Sequence, residues 1–179
     1  RGRNIHFGIR EHAMAAIGNG ISLYEDFLPF DSTFLSFSNY MLPALRLRAM
    51  MGLPVLDIFT HDSVIIGEDG PTHQPIEQLG MLRSIPNLNV FRPCDANELL
   101  AAYKFYLTER KPLSLVLAKQ KIQNTGLTSI KSALLGGYVL KPAKKQADIV
   151  LMASGSEVPL ALNVAAELEK TFDVSVVSM

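Results

Sequence analysis

Residues 60–75 decide how this sequence folds, and they read THDSVIIGEDGPTHQP. The apolar run just before them, residues 55–59, predicts a buried strand, while Ile76, Leu79 and Leu82 after them keep a helical spacing. A strand-to-helix connection in an α/β domain usually needs about 2–6 residues, so this one is long. It carries two histidines and three carboxylates. Because α/β proteins bind ligands at the carboxyl ends of parallel strands, we expect a functional site here.

Strands and helices alternate on both sides of this loop with short connections, which predicts a doubly wound, mostly parallel sheet with helices on both faces. The predicted elements are helix 11–24, strand 27–30, a helix that starts at 31–33 and is ended by Gly52, strand 55–59, helix 75–83, strand 88–91, a helix capped by Asp95 that runs to 109, and strand 113–118. Pro43 predicts a kink or break in the second helix. The last strand is apolar enough to be central.

The character of the chain changes at residues 123–146, where turn-forming and charged residues replace periodic ones. We interpret this segment as a linker between a first domain at 1–122, incomplete at its start, and the beginning of a second α/β domain at 147–179. The second part is predicted as strand 147–153, a helix to about 171 and strand 174–178. Since the chain starts without methionine and stops on a strand, we expect it to be part of a longer protein.

Composition excludes several classes of function. The 17 basic residues balance the 17 acidic ones without forming a basic stripe, which argues against a nucleic-acid partner. No apolar run approaches the roughly 18 residues of a membrane span. The single cysteine, Cys94, cannot form an internal disulfide and is typical of a reducing compartment. We therefore expect a cytoplasmic protein that contacts neither nucleic acid nor membrane.

The ionisable residues of the central loop allow three kinds of chemistry. His61 and His73, with Asp62, Glu68 and Asp69 between them, could bind a metal, transfer protons or bind a polar substrate. The spacing lacks the short helical pattern of zinc sites and no thiolate assists, so the metal reading is weak. Imidazoles beside carboxylates suit hydrogen bonding to hydroxyls and proton transfer near neutral pH. Surface histidines without function remain an alternative on composition alone.

Other candidate residues have ordinary structural explanations when taken singly. Glu11 lies at a predicted helix N-terminus, where the helix dipole favours a carboxylate. Phe34, Phe37 and Tyr40 follow one helical face and would usually belong to a core. Considered one at a time, none of these residues establishes a function.

Considered together, these segments resemble the transketolase family over essentially the whole chain. The matching segments are GIREH at 8–12, DSTFLSFSNY at 31–40, the loop at 60–75, RPCD at 92–95, GGYVL at 136–140 and ASGSEV at 153–158. The resemblance implies a thiamine-diphosphate enzyme of the pentose phosphate pathway that moves a two-carbon ketol unit from a ketose phosphate to an aldose phosphate. It also implies a homodimer with the cofactor between subunits. The diphosphate and its divalent metal, Mg²⁺ or Ca²⁺, would be held by an N-terminal domain absent from this chain, which alone should be inactive.

The resemblance assigns four residues to the cofactor. Glu11 matches the glutamate that hydrogen-bonds the aminopyrimidine ring nitrogen and takes part in catalysis. Phe34, Phe37 and Tyr40 match the aromatic pocket around that ring, where stacking contributes about 0.5–1.5 kcal/mol per pair. No residue of this chain is assigned to the metal.

The resemblance assigns four residues to the substrate. His61, Asp69 and His73 match groups that bind sugar hydroxyls, with both histidines also implied in catalysis and His73 near the phosphate or the transferring proton. Lys119 stands where the family has an arginine for the substrate phosphate, allowing for a one-residue shortening. Lysine keeps the charge but loses the bidentate fork, so we expect weaker or less selective phosphate binding.

Two alternatives remain. Deoxyxylulose-phosphate synthase and phosphoketolase share parts of the pattern, although the aromatic set and the THDS run at 60–63 favour transketolase. The chain could also be a non-catalytic or split subunit that assembles with a separate cofactor-binding chain. Retention of Glu11, His61, Asp69 and His73 argues against a purely structural role, because a scaffold has no need of them.

Overall fold

The computed structural model of the protein describes residues 3–24 and 27–179, which form two compact units. The first unit comprises residues up to 91 together with 109–119, and the second comprises 92–108 and 120–179. The first unit contains α1 (Glu11–Leu23), β1 (Phe30–Phe34), α2 (Ser38–Met51), β2 (Leu56–Thr60), α3 (Gln78–Arg83), β3 (Asn89–Phe91) and β4 (Leu113–Val116).

The first unit is built on a parallel sheet. Its four strands lie in the order β1-β2-β4-β3, and every neighbouring pair is parallel. β2 and β4 are therefore central, as the apolar sequence of residues 113–118 predicts, and all four residues of β4 are buried. The predicted α/β fold with a mostly parallel sheet is confirmed.

The first strand lies later in the chain than predicted. The sequence suggested a strand at 27–30 and a helix start at 31–33, whereas the structure places Asp31, Ser32 and Thr33 inside β1, in register with β2. The physical reason is that Asp31 is not a helix cap: its side chain is buried and bonded to Arg48. A turn of 3-10 helix at Leu35–Phe37 then leads into α2.

The second helix is continuous, so the break predicted at Pro43 does not occur within α2. Pro43 is the sixth residue of α2, so it removes one backbone hydrogen bond near the start of the helix without ending it. The predicted stop is confirmed: Gly52 caps α2 in the left-handed conformation, at φ 66°, which glycine adopts without steric cost.

The helix α1 approaches β1 closely at one glycine. A Cβ atom added at Gly18 would lie 2.8 Å from Asp31 Oδ2, while one added at Gly20 would meet no atom within 4 Å. Gly18 is therefore required by packing and Gly20 is not. The buried apolar core of the first unit includes Met14, Ala15, Leu35, Met41, Ala44, Leu45, Ala49, Phe59, Leu82 and Val116.

The second unit contains a mixed sheet. Its elements are α4 (Ala96–Glu109), α5 (Ile130–Ala133), β5 (Tyr138–Lys141), β6 (Ile149–Ala153), α6 (Val158–Leu168) and β7 (Val174–Ser178). The strands lie in the order β5-β7-β6, with β6 and β7 parallel and β5 antiparallel to β7. The predicted β-α-β unit is confirmed, and Asp95 caps α4 by accepting hydrogen bonds from the backbone N–H groups of Asn97 and Glu98.

The segment predicted as a linker contains regular structure. Residues 123–146 include α5 and β5, which the faded periodicity did not predict because each has only four residues. The proposed domain limits at 1–122 and 147–179 stay a prediction, and residues 1, 2, 25 and 26 lie outside the described part. Among the helices of residues 3–24 and 27–179, none is long and apolar enough to cross a membrane.

Candidate functional site

The carboxyl ends of β1 and β2 bring two predicted site residues into contact. These strands are parallel neighbours, with Phe34 in register with Thr60, the last residue of β2. His61 follows Thr60 directly, and its ring stacks on that of Phe34 with centroids 3.7 Å apart. The long loop after β2 therefore begins beside the carboxyl end of β1. Ligand sites of α/β folds lie at this end of the strands.

Five rings form a continuous aromatic group that consists of Phe34, Phe37, Tyr40, His61 and His73. Phe37 lies between Phe34 and Tyr40, at centroid distances of 6.1 and 6.2 Å. His73 meets Phe37 edge-on at 5.1 Å. Residues from β1, α2 and both ends of the loop thus present several flat apolar faces in one place, an arrangement suited to a planar ligand.

The loop is held in a defined shape around the aromatic group. Ser36 Oγ donates a hydrogen bond of 2.6 Å to the backbone carbonyl oxygen of His73, which ties the end of the loop to the segment between β1 and α2. His61 adopts φ 62°, a left-handed conformation that is costly for a residue with a Cβ atom. Such strain is concentrated at functional sites, and no local sequence pattern predicts it here.

Both histidines have one ring nitrogen in contact with a hydroxyl. Nδ1 of His61 lies 2.9 Å from the hydroxyl oxygen of Thr60, and Nδ1 of His73 lies 2.8 Å from that of Thr72. Each threonine thereby orients its neighbouring ring. His61 Nε2 is 3.9 Å from Asp69 Oδ2, so an imidazole nitrogen and a carboxylate face the same space.

Lys119, Glu68 and Asp69 form a charged cluster, which we call the lysine cluster. Lys119 follows β4, and its Nζ contacts Glu68 Oε1 and lies 2.9 Å from Asp69 Oδ2. Its hydrogen bonds lower the pKa of both carboxyl groups and raise the pKa of Lys119. All three groups are therefore charged at neutral pH, and the predicted phosphate residue is paired with two carboxylates.

Glu11 is the first residue of α1, as predicted, and is half-buried. Within residues 3–24 and 27–179, its carboxylate forms no hydrogen bond or ion pair with the aromatic group, the lysine cluster or any other residue. The structure therefore assembles seven of the eight predicted site residues into two neighbouring groups and leaves Glu11 without a protein partner in the described part of the chain.

A cavity of about 320 Å³ adjoins the aromatic group. Phe37 and Tyr40 line it on one side, while Thr72, Gln74 and Glu77 contribute polar groups. Asn39 donates to Glu77 Oε1 at 2.9 Å and holds that carboxylate at the rim. The volume suits a ligand of small-molecule size.

Comparison with known proteins settles the family. The family model described as "Transketolase, pyrimidine binding domain" matches residues 1–125, and that described as "Transketolase-like TK C-terminal domain" matches residues 136–179. The chain belongs to the transketolase family. The transketolase of Halalkalibacterium halodurans is 48% identical over 99% of this chain, which spans 28% of that relative.

Solved transketolases share the fold as well as the sequence. A variant of the Pichia stipitis enzyme, solved as a complex with fructose 6-phosphate, is 44% identical with a TM-score of 0.94, and the match covers 99% of this chain and 26% of that one. A split-gene transketolase described as an inactive β4 tetramer is 28% identical with a TM-score of 0.80 over 96% of this chain and 55% of that one. The chain thus spans about a quarter of the full-length transketolases that it matches.

The residues present fit the planar part of the cofactor that the transketolase family implies. The flat aromatic faces and the two oriented imidazoles lie together and suit a planar, nitrogen-containing ring. They do not fit the metal, since the described residues contain no group of three or more histidine, cysteine or acidic side chains that could hold one.

The sequence reasoning missed a buried ion pair network beneath the site. Arg48, on α2, is fully buried and contacts the carboxylates of Asp31 on β1 and Asp57 on β2. It also donates to the side chain of Asn19 at 2.7 Å and to the backbone carbonyl oxygen of Ala15 at 3.0 Å, both on α1. One side chain therefore joins α2 to α1, β1 and β2.

A signal for this network was present in the sequence. Asp57 interrupts the apolar run of β2, and a carboxylate in a buried strand requires a partner. Burial raises the pKa of Asp57 and raises the pKa of Asp31 to about 6, in each case against the opposing effect of Arg48. Ser114 on β4 donates to Asp57 Oδ2 at 3.1 Å, which completes its hydrogen bonding.

Proposed function

We propose that this chain supplies the cofactor-ring half and part of the sugar-phosphate half of a transketolase active site. The reaction is transfer of a two-carbon ketol unit from a ketose phosphate to an aldose phosphate. The observation that carries the proposal is the aromatic group: the rings of Phe34, Phe37, Tyr40, His61 and His73 meet at the carboxyl ends of β1 and β2. Membership of the transketolase family supports thiamine diphosphate as the ligand of this aromatic group.

The aromatic group and Glu11 would bind the aminopyrimidine ring of thiamine diphosphate. Phe34, Phe37 and Tyr40 offer stacking faces, and the Glu11 carboxylate would hold a proton at the ring nitrogen. When bound, thiamine diphosphate supplies the carbon nucleophile that the side chains of this chain lack. Since stacking excludes water on both sides, the ring and the carboxylate would interact more strongly than in solvent.

His61, His73 and Asp69 would bind the sugar, and the two histidines would also transfer protons. Threonine hydroxyls orient both imidazoles through Nδ1, which directs Nε2 toward a ligand. His61 Nε2 and Asp69 Oδ2 then offer two polar atoms to neighbouring sugar hydroxyls. Lys119 would bind the substrate phosphate, and the Pichia stipitis relative solved with fructose 6-phosphate gives a substrate of this class.

The diphosphate and a divalent metal, Mg²⁺ or Ca²⁺, would be bound by a domain outside this chain. In this proposal the pyrimidine-binding domain at 1–122 faces the diphosphate-binding domain of a second subunit, so that the active enzyme is a homodimer with the cofactor between subunits. This assembly accounts for the open position of the aromatic group, in which Tyr40 is 63% exposed. The chain by itself is then inactive.

The test is ketol transfer by the complete polypeptide, or by this chain mixed with a separately produced diphosphate-binding domain, supplied with thiamine diphosphate and Mg²⁺. We expect transfer from fructose 6-phosphate to an aldose phosphate, and a loss of about 100- to 10,000-fold in Glu11→Gln, the range of a general acid–base group. The matched control Glu109→Gln changes an exposed glutamate that pairs with Lys111 and should leave the rate unchanged. Full activity of Glu11→Gln would contradict the proposal.

The phosphate assignment has its own test. We expect Lys119→Arg to bind fructose 6-phosphate more tightly, because the guanidinium can form two parallel hydrogen bonds to phosphate. Equal affinities in the two proteins would count against the expected cost of lysine at this position.

A second candidate is a separate subunit of a split enzyme. The observation in its favour is the split-gene transketolase, of which this chain covers 55%, described as inactive as a β4 tetramer. Mixing distinguishes the two: a split subunit becomes active when its natural partner chain is added, whereas a portion of a single polypeptide has no such partner.

Release of CO₂ from pyruvate in the presence of an aldose phosphate would instead indicate a deoxyxylulose-phosphate synthase.

A further inference from the structure

Lys119 has less capacity for a phosphate than its charge suggests. An ammonium group has three N–H donors. Two of them are occupied, because Nζ contacts Glu68 Oε1 and lies 2.9 Å from Asp69 Oδ2. A phosphate that arrives at Lys119 therefore finds one open donor and two carboxylates already in place.

The charges of the lysine cluster also oppose an anion. One lysine and two ionised carboxylates leave a net charge of −1 while His61 is neutral. Like charges at hydrogen-bonding distance repel even near a protein surface. A phosphate can bind Lys119 with full strength only when one carboxylate moves away.

The two carboxylates differ in their freedom to move. The side chain of Glu68 is 73% exposed, whereas that of Asp69 is 27% exposed. Asp69 also faces His61 Nε2 and interacts electrostatically with His73. Its carboxylate is therefore coupled to both histidines of the aromatic group. Apart from its own backbone N–H, the Glu68 carboxylate has no second partner among the described residues, and an exposed ion pair of this kind contributes little to stability. Glu68 is thus the carboxylate that a ligand displaces.

We propose that Glu68 is a specificity-determining residue that competes with the substrate phosphate for Lys119 and so reduces the preference for phosphorylated over unphosphorylated sugars. This inference rests on the proposed function, which assigns Lys119 to the phosphate. Because the competing contact is exposed and is broken before the sugar reacts, Glu68 acts on KM and not on kcat.

The experiment compares fructose 6-phosphate with fructose as donor in the active enzyme. Glu68→Gln keeps the shape of the side chain and removes its charge. We expect kcat/KM for fructose 6-phosphate to rise about two- to fivefold through a lower KM, the fold-change that corresponds to an exposed ion pair, and kcat/KM for fructose to stay unchanged. The matched control is Glu167→Gln, which removes an exposed glutamate paired with Lys170 and should change neither value.

Two outcomes would overturn the inference: an unchanged ratio of the two kcat/KM values, or an equal rise for both sugars. Lys119→Met separates this failure from failure of the proposed function. If Lys119→Met lowers the ratio while Glu68→Gln leaves it unchanged, only the inference about Glu68 fails. If Lys119→Met also leaves the ratio unchanged, the assignment of the phosphate to Lys119 fails with it.

Discussion

Two places in the first unit hold one cation between two carboxylates. In the buried network, Arg48 contacts Asp31 and Asp57, and all three side chains are at most 3% exposed. In the lysine cluster, Lys119 contacts Glu68 and Asp69 at the open end of the sheet, and their side chains are 27–73% exposed. The formal charges are the same, but the cation is a guanidinium in one place and an ammonium in the other, and the exposure to solvent differs.

The surroundings reverse the effect on the carboxylates. In the buried network desolvation exceeds the attraction of Arg48, which raises the pKa of Asp31 to about 6. In the lysine cluster, hydrogen bonds from Lys119 lower the pKa of Glu68 and Asp69. A buried cation between carboxylates therefore organises the fold, while an exposed one remains able to exchange partners with a ligand.

The largest effect is expected from Arg48→Met, which leaves two carboxylates buried without a cation. Breaking a buried pair in this way costs about 3–5 kcal/mol in the free energy of unfolding. Urea unfolding of wild type and variant measures the difference. A loss below about 1 kcal/mol would show that water or protonation compensates Asp31 and Asp57, and that burial is not what separates the two sites.

The second prediction concerns pH. The pKa of Asp31 rises from 3.8 in the unfolded chain to about 6, so between these values the folded state binds more protons. The contribution of this group to stability is therefore fully present below about pH 4 and is lost as the pH rises through 6. Relative to Asp31→Asn, the free energy of unfolding of wild type should fall by up to about 1.4 kcal/mol per pH unit in this window. If the free energy of unfolding varied with pH in the same way for wild type and Asp31→Asn from pH 4 to 7, the prediction would be wrong.

The third prediction tests how tightly the buried network is enclosed. Gly18→Ala places a methyl group 2.8 Å from Asp31 Oδ2, which Arg48 holds in position, and should cost about 1–3 kcal/mol by overpacking. Gly20→Ala, in the same helix with open space around it, should instead stabilise by about 0.5–1 kcal/mol through helix propensity. Thermal unfolding of both variants checks the contrast, and a similar shift in both would argue against a pinned Asp31.

The smallest effect is expected from Lys119→Met. Its ion pairs are exposed, so the free energy of unfolding should change far less than in Arg48→Met. The change should shrink further in 1 M salt, because the Debye length falls to about 3 Å. A loss comparable to that of Arg48→Met, measured in the same urea titration, would mean that the lysine cluster is a structural feature.

Most of the fold followed from local patterns. The alternation of apolar strands with amphipathic helices predicted the parallel sheet and its central β4, and Gly52 and Asp95 marked a helix end and a helix start that the structure confirms. β1 was misplaced because Asp31 has the character of a helix cap in sequence, and only its burial against Arg48 makes it a strand residue. α5 and β5 were missed because four residues do not establish a period.

By itself, the sequence determined the family, the α/β class and the set of residues available for chemistry, because motifs and hydrophobic periodicity are properties of neighbouring residues. The tertiary structure alone decided that His61 stacks on Phe34, that Lys119 is already paired with Glu68 and Asp69, and that Arg48 is fully buried. The ion pairs join residues that are far apart in the chain: Asp31 and Arg48 are separated by 17 positions, and Glu68 and Lys119 by 51. Their energies depend on burial and solvent access, which a linear sequence does not specify.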